Sequence, residues 1–182
     1  MSRTEKEMSI SQVISKRREN VSIHEGYKSL FLQLIAIGIV AYLMFTQVLL
    51  ITQAKGNGMF PAVKDGDLVI GYRLQQEYAK DDVIVYTQDG KLNVGRIVAR
   101  ATDVVTLDDS GTLLVNGTAQ GGEIIYPSYA KEGLEYPYRV PENSVFVMGD
   151  FRTQTVDSRD FGAVSMENVE GKVITLLRRR GL

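Results

Sequence analysis

The hydrophobic pattern divides this chain into two unlike parts. Residues 30–51 contain no charged side chain, and 14 of these 22 positions are Leu, Ile, Val or Phe. A helix over this run is about 33 Å long at 1.5 Å per residue, enough for a hydrocarbon core of about 30 Å. Only Gln33 and Gln47 are strongly polar, so the run lacks the polar face of a core helix in a soluble domain. It also exceeds the roughly 7–15 apolar residues of a cleaved signal peptide. The pattern predicts one transmembrane helix over residues 29–53, with residues 30–51 in contact with the lipid bilayer.

Beyond residue 54 the pattern changes to short apolar runs separated by turn residues. Residues 68–73, 82–87, 91–100, 103–107, 112–115, 145–148 and 172–177 read as strands. Asp65-Gly66-Asp67, Asp89-Gly90, Asp108-Asp109-Ser110-Gly111 and Asn116-Gly117 are the turns between them. Outside the membrane segment only residues 165–169 read as helical. Residues 121–141 form a long loop studded with Tyr126, Tyr129, Tyr136 and Tyr138. Those rings either cover the sheet or face a partner, since tyrosine suits both. The fold class is mainly β, an antiparallel domain behind one N-terminal helix.

Charge gives this plan an orientation. The first 28 residues carry six Lys/Arg against four Asp/Glu, and Lys16, Arg17, Arg18 and Lys28 stand close to the apolar run. The positive-inside rule then makes residues 1–28 a cytoplasmic tail, 29–53 the span and 54–182 an extracytoplasmic domain of a single-pass cell-membrane protein. The tail's charges read as a topology signal. A net charge of -1 over 182 residues argues against nucleic-acid binding. Without cysteine there is no disulfide and no thiolate chemistry. With His24 as the single histidine, neither a metal site nor a cofactor is expected.

The chemistry is concentrated in four short stretches. The first runs Gly56-Asn57-Gly58-Met59-Phe60-Pro61-Ala62-Val63-Lys64-Asp65-Gly66-Asp67-Leu68-Val69. Next come Lys80-Asp81-Asp82-Val83-Ile84-Val85-Tyr86 and Val94-Gly95-Arg96-Ile97-Val98-Ala99-Arg100-Ala101-Thr102-Asp103. The last is Met148-Gly149-Asp150-Phe151-Arg152-Thr153-Gln154-Thr155-Val156-Asp157-Ser158-Arg159-Asp160-Phe161-Gly162. In order and spacing these resemble the boxes of type I signal peptidases, in the short Gram-positive form with one N-terminal anchor. The first resembles Ser-Met-x-Pro-x-x-x-x-Gly-Asp-x-Val and the last Gly-Asp-Asn-Arg-x-x-Ser-x-Asp-Ser-Arg-x-x-Gly.

The resemblance implies a coiled β domain on the outer membrane leaflet and a Ser/Lys dyad. In such a dyad a neutral lysine takes the proton of the attacking serine. Gly58 stands at the serine position and Gly95 at the lysine position. The family's Gly-x-Pro-Gly turn has become Ala99-Arg100-Ala101-Thr102, Phe151 replaces an asparagine, and Thr155 replaces a serine. Lys91 is no substitute base, since four strand residues place it about 13 Å from Gly95. The resemblance therefore implies a catalytically inactive member with no catalytic residue, a pseudo-enzyme. Catalytically dead family members found beside sortases and pilins extend that implication to an accessory or chaperone-like role in pilus assembly. Gly56, Asn57, Gly58, Met59, Pro61 and Gly95 would line a cleft binding pilin subunits or a sortase. Asp150, Arg152, Thr155, Asp157, Ser158 and Arg159 would support it structurally. The alternatives are an active signal peptidase with a relocated dyad and a regulatory subunit of an active one.

Overall fold

The computed structural model describes residues 10–121 and 126–178, with side chains from residue 26 onward. The chain forms two units, residues 1–44 and 45–182, and each is described by itself.

In the first unit α1 runs Ile10–Leu43, and a π turn at Met44–Val48 carries the chain into the second. Gly26–Val48 is long and apolar enough to cross a membrane. Leu30, Phe31, Leu32, Leu34, Ile35, Ile37, Ile39 and Val40 all stand exposed along it. A continuous exposed apolar surface of this kind is stable where lipid, and not water, surrounds it. The predicted span is corrected at its C-terminal end. Residues 49–53 are not helical but form β1, Leu49–Gln53. Leu50 is buried in the β-domain core, and the backbone from Leu49 to Gln53 pairs in register with Tyr72 to Leu68. Ladder pairing and burial of Leu50 thus outweigh continuation of the helix, a choice that an apolar run cannot reveal by composition.

The second unit is built from β2 (Leu68–Tyr72), β3 (Val83–Gln88), β4 (Lys91–Arg100), β5 (Val104–Leu107), β6 (Leu113–Val115), β7 (Thr118–Ala119), β8 (Tyr138–Arg139), β9 (Ser144–Met148), β10 (Val164–Ser165) and β11 (Val169–Leu177). The larger sheet has seven strands in the order β1-β2-β11-β3-β4-β9-β10, and the smaller has four in the order β7-β6-β5-β8. Every pairing is antiparallel. The mainly β reading holds, and each run read as a strand overlaps one.

The core follows from strand alternation. Ile84, Tyr86, Ile97, Val145, Val147 and Val164 pack together with Tyr78. Val98, Val105, Leu113, Val140, Phe146 and Met148 form a second cluster, and Leu50, Met59, Val63, Val69 and Val85 a third. Each fully buried aliphatic side chain contributes roughly 1.5–3 kcal/mol of burial. Residues 165–169 contain a 3-10 turn at Met166–Asn168, which meets the helical reading there. The reading that no other helix exists outside the membrane is corrected by α2, Ser158–Phe161. Asp157 caps it, accepting from Arg159 N, while the Asp160 carboxylate accepts from Asp157 N. That reciprocal capping box stabilises a single turn that is too short to show a periodic pattern.

Candidate functional site

The first box makes a loop between β1 and β2. Ala54 N donates to Asp67 O, and Gly66 N returns a bond to Ala54 O, closing the loop at its base. Gly56 N donates to the Asp65 carboxylate, Lys64 N to that of buried Asp67, and Phe60 N to Asn57 O. Met59 is 3% exposed and belongs to the third core cluster, while Pro61 stays exposed. Gly56 takes the left-handed φ of 75°, whereas Gly58 does not adopt a positive φ. Turn chemistry therefore accounts for Gly56 and leaves Gly58 unexplained by its backbone.

Gly58 and Gly95 both border the C-terminal end of β9. Gly58 O accepts from Phe151 N, and a Cβ at position 149 would lie 2.4 Å from Gly58 O. Gly149 is thus required for the close approach of these two backbones. Gly95 lies opposite Ile84 on β3, and its surroundings include Val147 and Met148 O. The two positions differ in the room they leave. A Cβ at position 58 would meet Thr155 Oγ1 at 3.0 Å, a contact that a small movement of one side chain relieves. A Cβ at position 95 would lie 2.4 Å from Val147 Cγ1 and 3.2 Å from Tyr86 Cε1. Tyr86 is diagonal to Gly95 across the β3–β4 ladder, where an aromatic ring reaches easily. Its ring and Val147 fill the space that a side chain at 95 would need. Burial raises the Tyr86 phenol, with Asp157 and Asp160 adding to the shift, so it stays protonated and neutral.

Behind these positions lies a group of charged side chains. Arg96 makes a two-pronged ion pair with Asp150, at 2.8 and 2.7 Å. Arg159 pairs with both carboxylate oxygens of Asp157 at 2.9 Å, and both residues are almost wholly buried. Arg159 also donates to Arg152 O and Tyr129 O. Ser158 Oγ accepts from Val147 N, and Asp157 accepts from Gly149 N, which ties α2 to the end of β9. Removing one partner of such a buried pair typically costs about 3–5 kcal/mol, because the other charge is left stranded. Arg152 is buried too, and burial with Arg159 beside it pushes its guanidinium down to about 10. Thr155 lies next to Gly58, and Lys131 Nζ donates to Thr155 O and to Asp160.

The structure also brings in residues that the motif reading did not single out. Arg96, Lys131, Ser128 and Tyr86 acquire their roles only through partners at least 24 residues away or across a strand pair. Phe60, Phe151 and Tyr126 form a run of tilted rings, with centroid separations of 6.1 and 4.7 Å. In the tyrosine-rich segment, Tyr138 packs on Phe146 and Tyr136 packs against the core, while Tyr129 is half exposed. Residues 122–125 of that segment lie outside the described residues.

An apolar helix followed by an antiparallel β domain, with a Met-x-Pro loop set against a Gly-Asp…Asp-Ser-Arg segment, defines a protein of the signal-peptidase type. The family model described as "Signal peptidase, peptidase S26" matches residues 27–177, and the chain belongs to that family. It is 27% identical to signal peptidase I of Bacillus licheniformis over 165 residues, covering 82% of this chain and 86% of that one. It is 30% identical over 134 residues to the probable thylakoidal processing peptidase 2 of Arabidopsis thaliana, covering 65% of this chain and 35% of that protein. The match thus spans about a third of the length of the plant relative. A crystal structure of a signal peptidase I from Enterococcus faecalis V583 is similar at a TM-score of 0.46 and 28% identity, covering 55% of this chain and 98% of that one.

Family membership corrects the expectation that this chain is not an enzyme. The family is one of peptidases, and relatives matched over most of this chain are named signal peptidase I. Gly58 and Gly95 remain facts about two positions, and the lack of side chains there does not establish loss of activity.

Proposed function

We propose that this chain is a membrane-tethered signal-peptidase-like protein that receives an extended segment of a secreted or membrane-anchored client beside Gly58. In this reading the clients are pilin subunits or a sortase, and the role is an accessory one in pilus assembly. The N-terminus is cytoplasmic and the β domain lies outside the cell membrane, as the basic flank before the apolar run favours. One observation carries the reading. Residues 91–95 of β4 pair with β3 on one edge, whereas β9 pairs only with residues 96–100 on the other. Val147 and Met148 of β9 already reach Gly95, but among the described residues no strand pairs with the outer edge of 91–94, which leaves backbone groups there free for strand addition. Gly58 presents bare backbone beside Thr155, so in this reading a client chain meets main chain and the Thr155 side chain there.

The test is site-specific photo-crosslinking from positions 56 and 93 in cells that assemble pili. Capture of a pilin or sortase, lost in Gly58→Trp together with pilus assembly, is the expected result. Normal assembly with Gly58→Trp rejects the reading. Family membership favours a second reading, peptide cleavage by groups other than those at 58 and 95. Turnover of a precursor peptide by the purified full chain in detergent, abolished by Thr155→Val, would support it.

A further inference from the structure

Arg152 is the buried cation of the supporting cluster that has no carboxylate partner among the described residues. Its Nε donates to Gly149 O at 3.0 Å, Nη1 to Ser128 Oγ, and Nη2 to Gln120 Oε1 at 3.3 Å. All three acceptors are neutral. A guanidinium has five N–H donors, so two remain. Ser128 is 2% exposed and accepts from Arg152, and its own hydroxyl proton has no acceptor among the described residues. The surrounding cations are Arg96, Lys131, Arg152 and Arg159, and the anions paired with them are Asp150, Asp157 and Asp160. Among the described residues Arg152 is thus the member of this group without an ion pair of its own; Asp157 and Asp150 act on it only from a distance, and burial makes its charge costly.

These donors border a recess of about 330 Å³ lined by Ser110, Thr112, Gln120, Tyr126, Ser128 and Arg152. We propose that this recess is a carboxylate-binding site, taking the terminal or side-chain carboxylate of a peptide on the Arg152 guanidinium and the Ser128 hydroxyl. The two unused guanidinium N–H groups and the serine O–H supply three donors, and charge-assisted bonds of this type are the stronger kind. A carboxylate also gives Arg152 an ion pair. Burial and the neighbouring Arg159 already press on the charged form of Arg152, and an anion in the recess relieves both. A doubly charged phosphate fits less well. The wall at Ser110 and Thr112 leans on Asp108, whose carboxylate accepts from Ser110 Oγ and Thr112 N. Asp108, just behind that wall, repels any anion in the recess, and a doubly charged phosphate feels twice the repulsion of a carboxylate. The proposal uses none of the β4 edge groups invoked for strand addition, and its test does not depend on that reading.

The experiment uses the full chain in detergent micelles at constant ionic strength set with chloride. Calorimetric titration compares acetyl-trialanine with a free C-terminus, acetyl-Ala-Glu-Ala amide and acetyl-trialanine amide. The first arm reads a terminal carboxylate, the second a side-chain carboxylate and the third neither. At least one acid is expected to bind about tenfold more tightly than the neutral amide, equivalent to one hydrogen-bonded charge pair. Ser128→Ala is expected to weaken that acid about fivefold or more while its melting curve shows an intact fold. Arg152→Lys keeps the charge, loses the fork and should abolish the preference for acid. Equal binding of acids and amide overturns the proposal, as does an unchanged acid affinity in Ser128→Ala. Tighter binding of inorganic phosphate than of either acid overturns the carboxylate assignment. Glu123→Gln is titrated alongside, and acid binding by that variant alone overturns an external occupant.

Discussion

The hydroxyl of Tyr136 is buried and has no hydrogen-bond partner among the described residues. An unsatisfied buried hydroxyl carries a desolvation penalty of roughly 1–3 kcal/mol. Tyr136→Phe is therefore expected to raise stability by about 1 kcal/mol, read as a higher denaturant midpoint with an unchanged slope. The same residue predicts an alkaline effect. Burial pushes its phenol up to about 12, with Asp157 and Asp160 acting in the same direction and Arg159 against it. In the unfolded chain it ionises near 10. The folded form then holds the proton more tightly, so its contribution is complete below pH 10 and is lost as pH rises from 10 to about 12. The stability difference between wild type and Tyr136→Phe, measured across that window, should grow in favour of the variant. A constant difference would mean that the phenol titrates alike in both states. At this scale the motif was legible and its electrostatics were not. Asp150, Arg152, Asp157 and Arg159 stand out as a charged box, but only the fold pairs Arg96 with Asp150, seats Arg159 on Asp157 and leaves Arg152 with neutral partners.

The strands explain why the two glycines are not equivalent. Gly58 lies in a loop next to one adaptable side chain, whereas Gly95 is wedged between strand neighbours on both sides. Gly58→Ser is expected to change stability by less than about 1 kcal/mol. Gly95→Ala should cost about 1–3 kcal/mol by overpacking, and Gly95→Lys at least as much. Combining Gly95→Ala with Val147→Ala should recover part of the loss, with a favourable coupling of about 1 kcal/mol in a double-mutant cycle. Additive losses would show that the clash at Val147 Cγ1 is not the cause. The 99–102 turn differs from the family pattern in its backbone demand as well. Thr102, where the pattern has its second glycine, adopts a φ of 72°, an uncommon and strained conformation for a β-branched residue. Its N–H donates to Val140 O and holds the turn in place.

In the molecule as a whole, the end of the apolar run does two jobs. Residues up to Val48 are helical, and Leu49–Gln53 close one edge of the seven-stranded sheet. Leu50 connects that edge to Met59, Val63, Val69 and Val85 in a common core cluster. Leu50→Ala should destabilise the β domain by about 2–5 kcal/mol, which thermal unfolding of the full chain in detergent would detect. A change below about 0.5 kcal/mol would mean that β1 is a passive linker. The sequence reading missed β1 because twenty-two uncharged residues look alike whether the last few face lipid or a sheet. It missed α2 because four residues carry no period.

Local chemistry sufficed for the remainder. Strand alternation, turn dipeptides and the spacing of Met59-x-Pro61, Gly66-Asp67 and Asp157-Ser158-Arg159 determined the fold class and the family. Each is a property of neighbours along the chain, and burial and backbone geometry act on it directly. Tertiary structure alone decided what occupies the space around Gly95, which cation of the supporting cluster has no ion pair among the described residues, and where helix gives way to strand. Those outcomes depend on residues such as Tyr86, Val147, Ser128 and Gln120, which reach their places only when distant strands pair and pack.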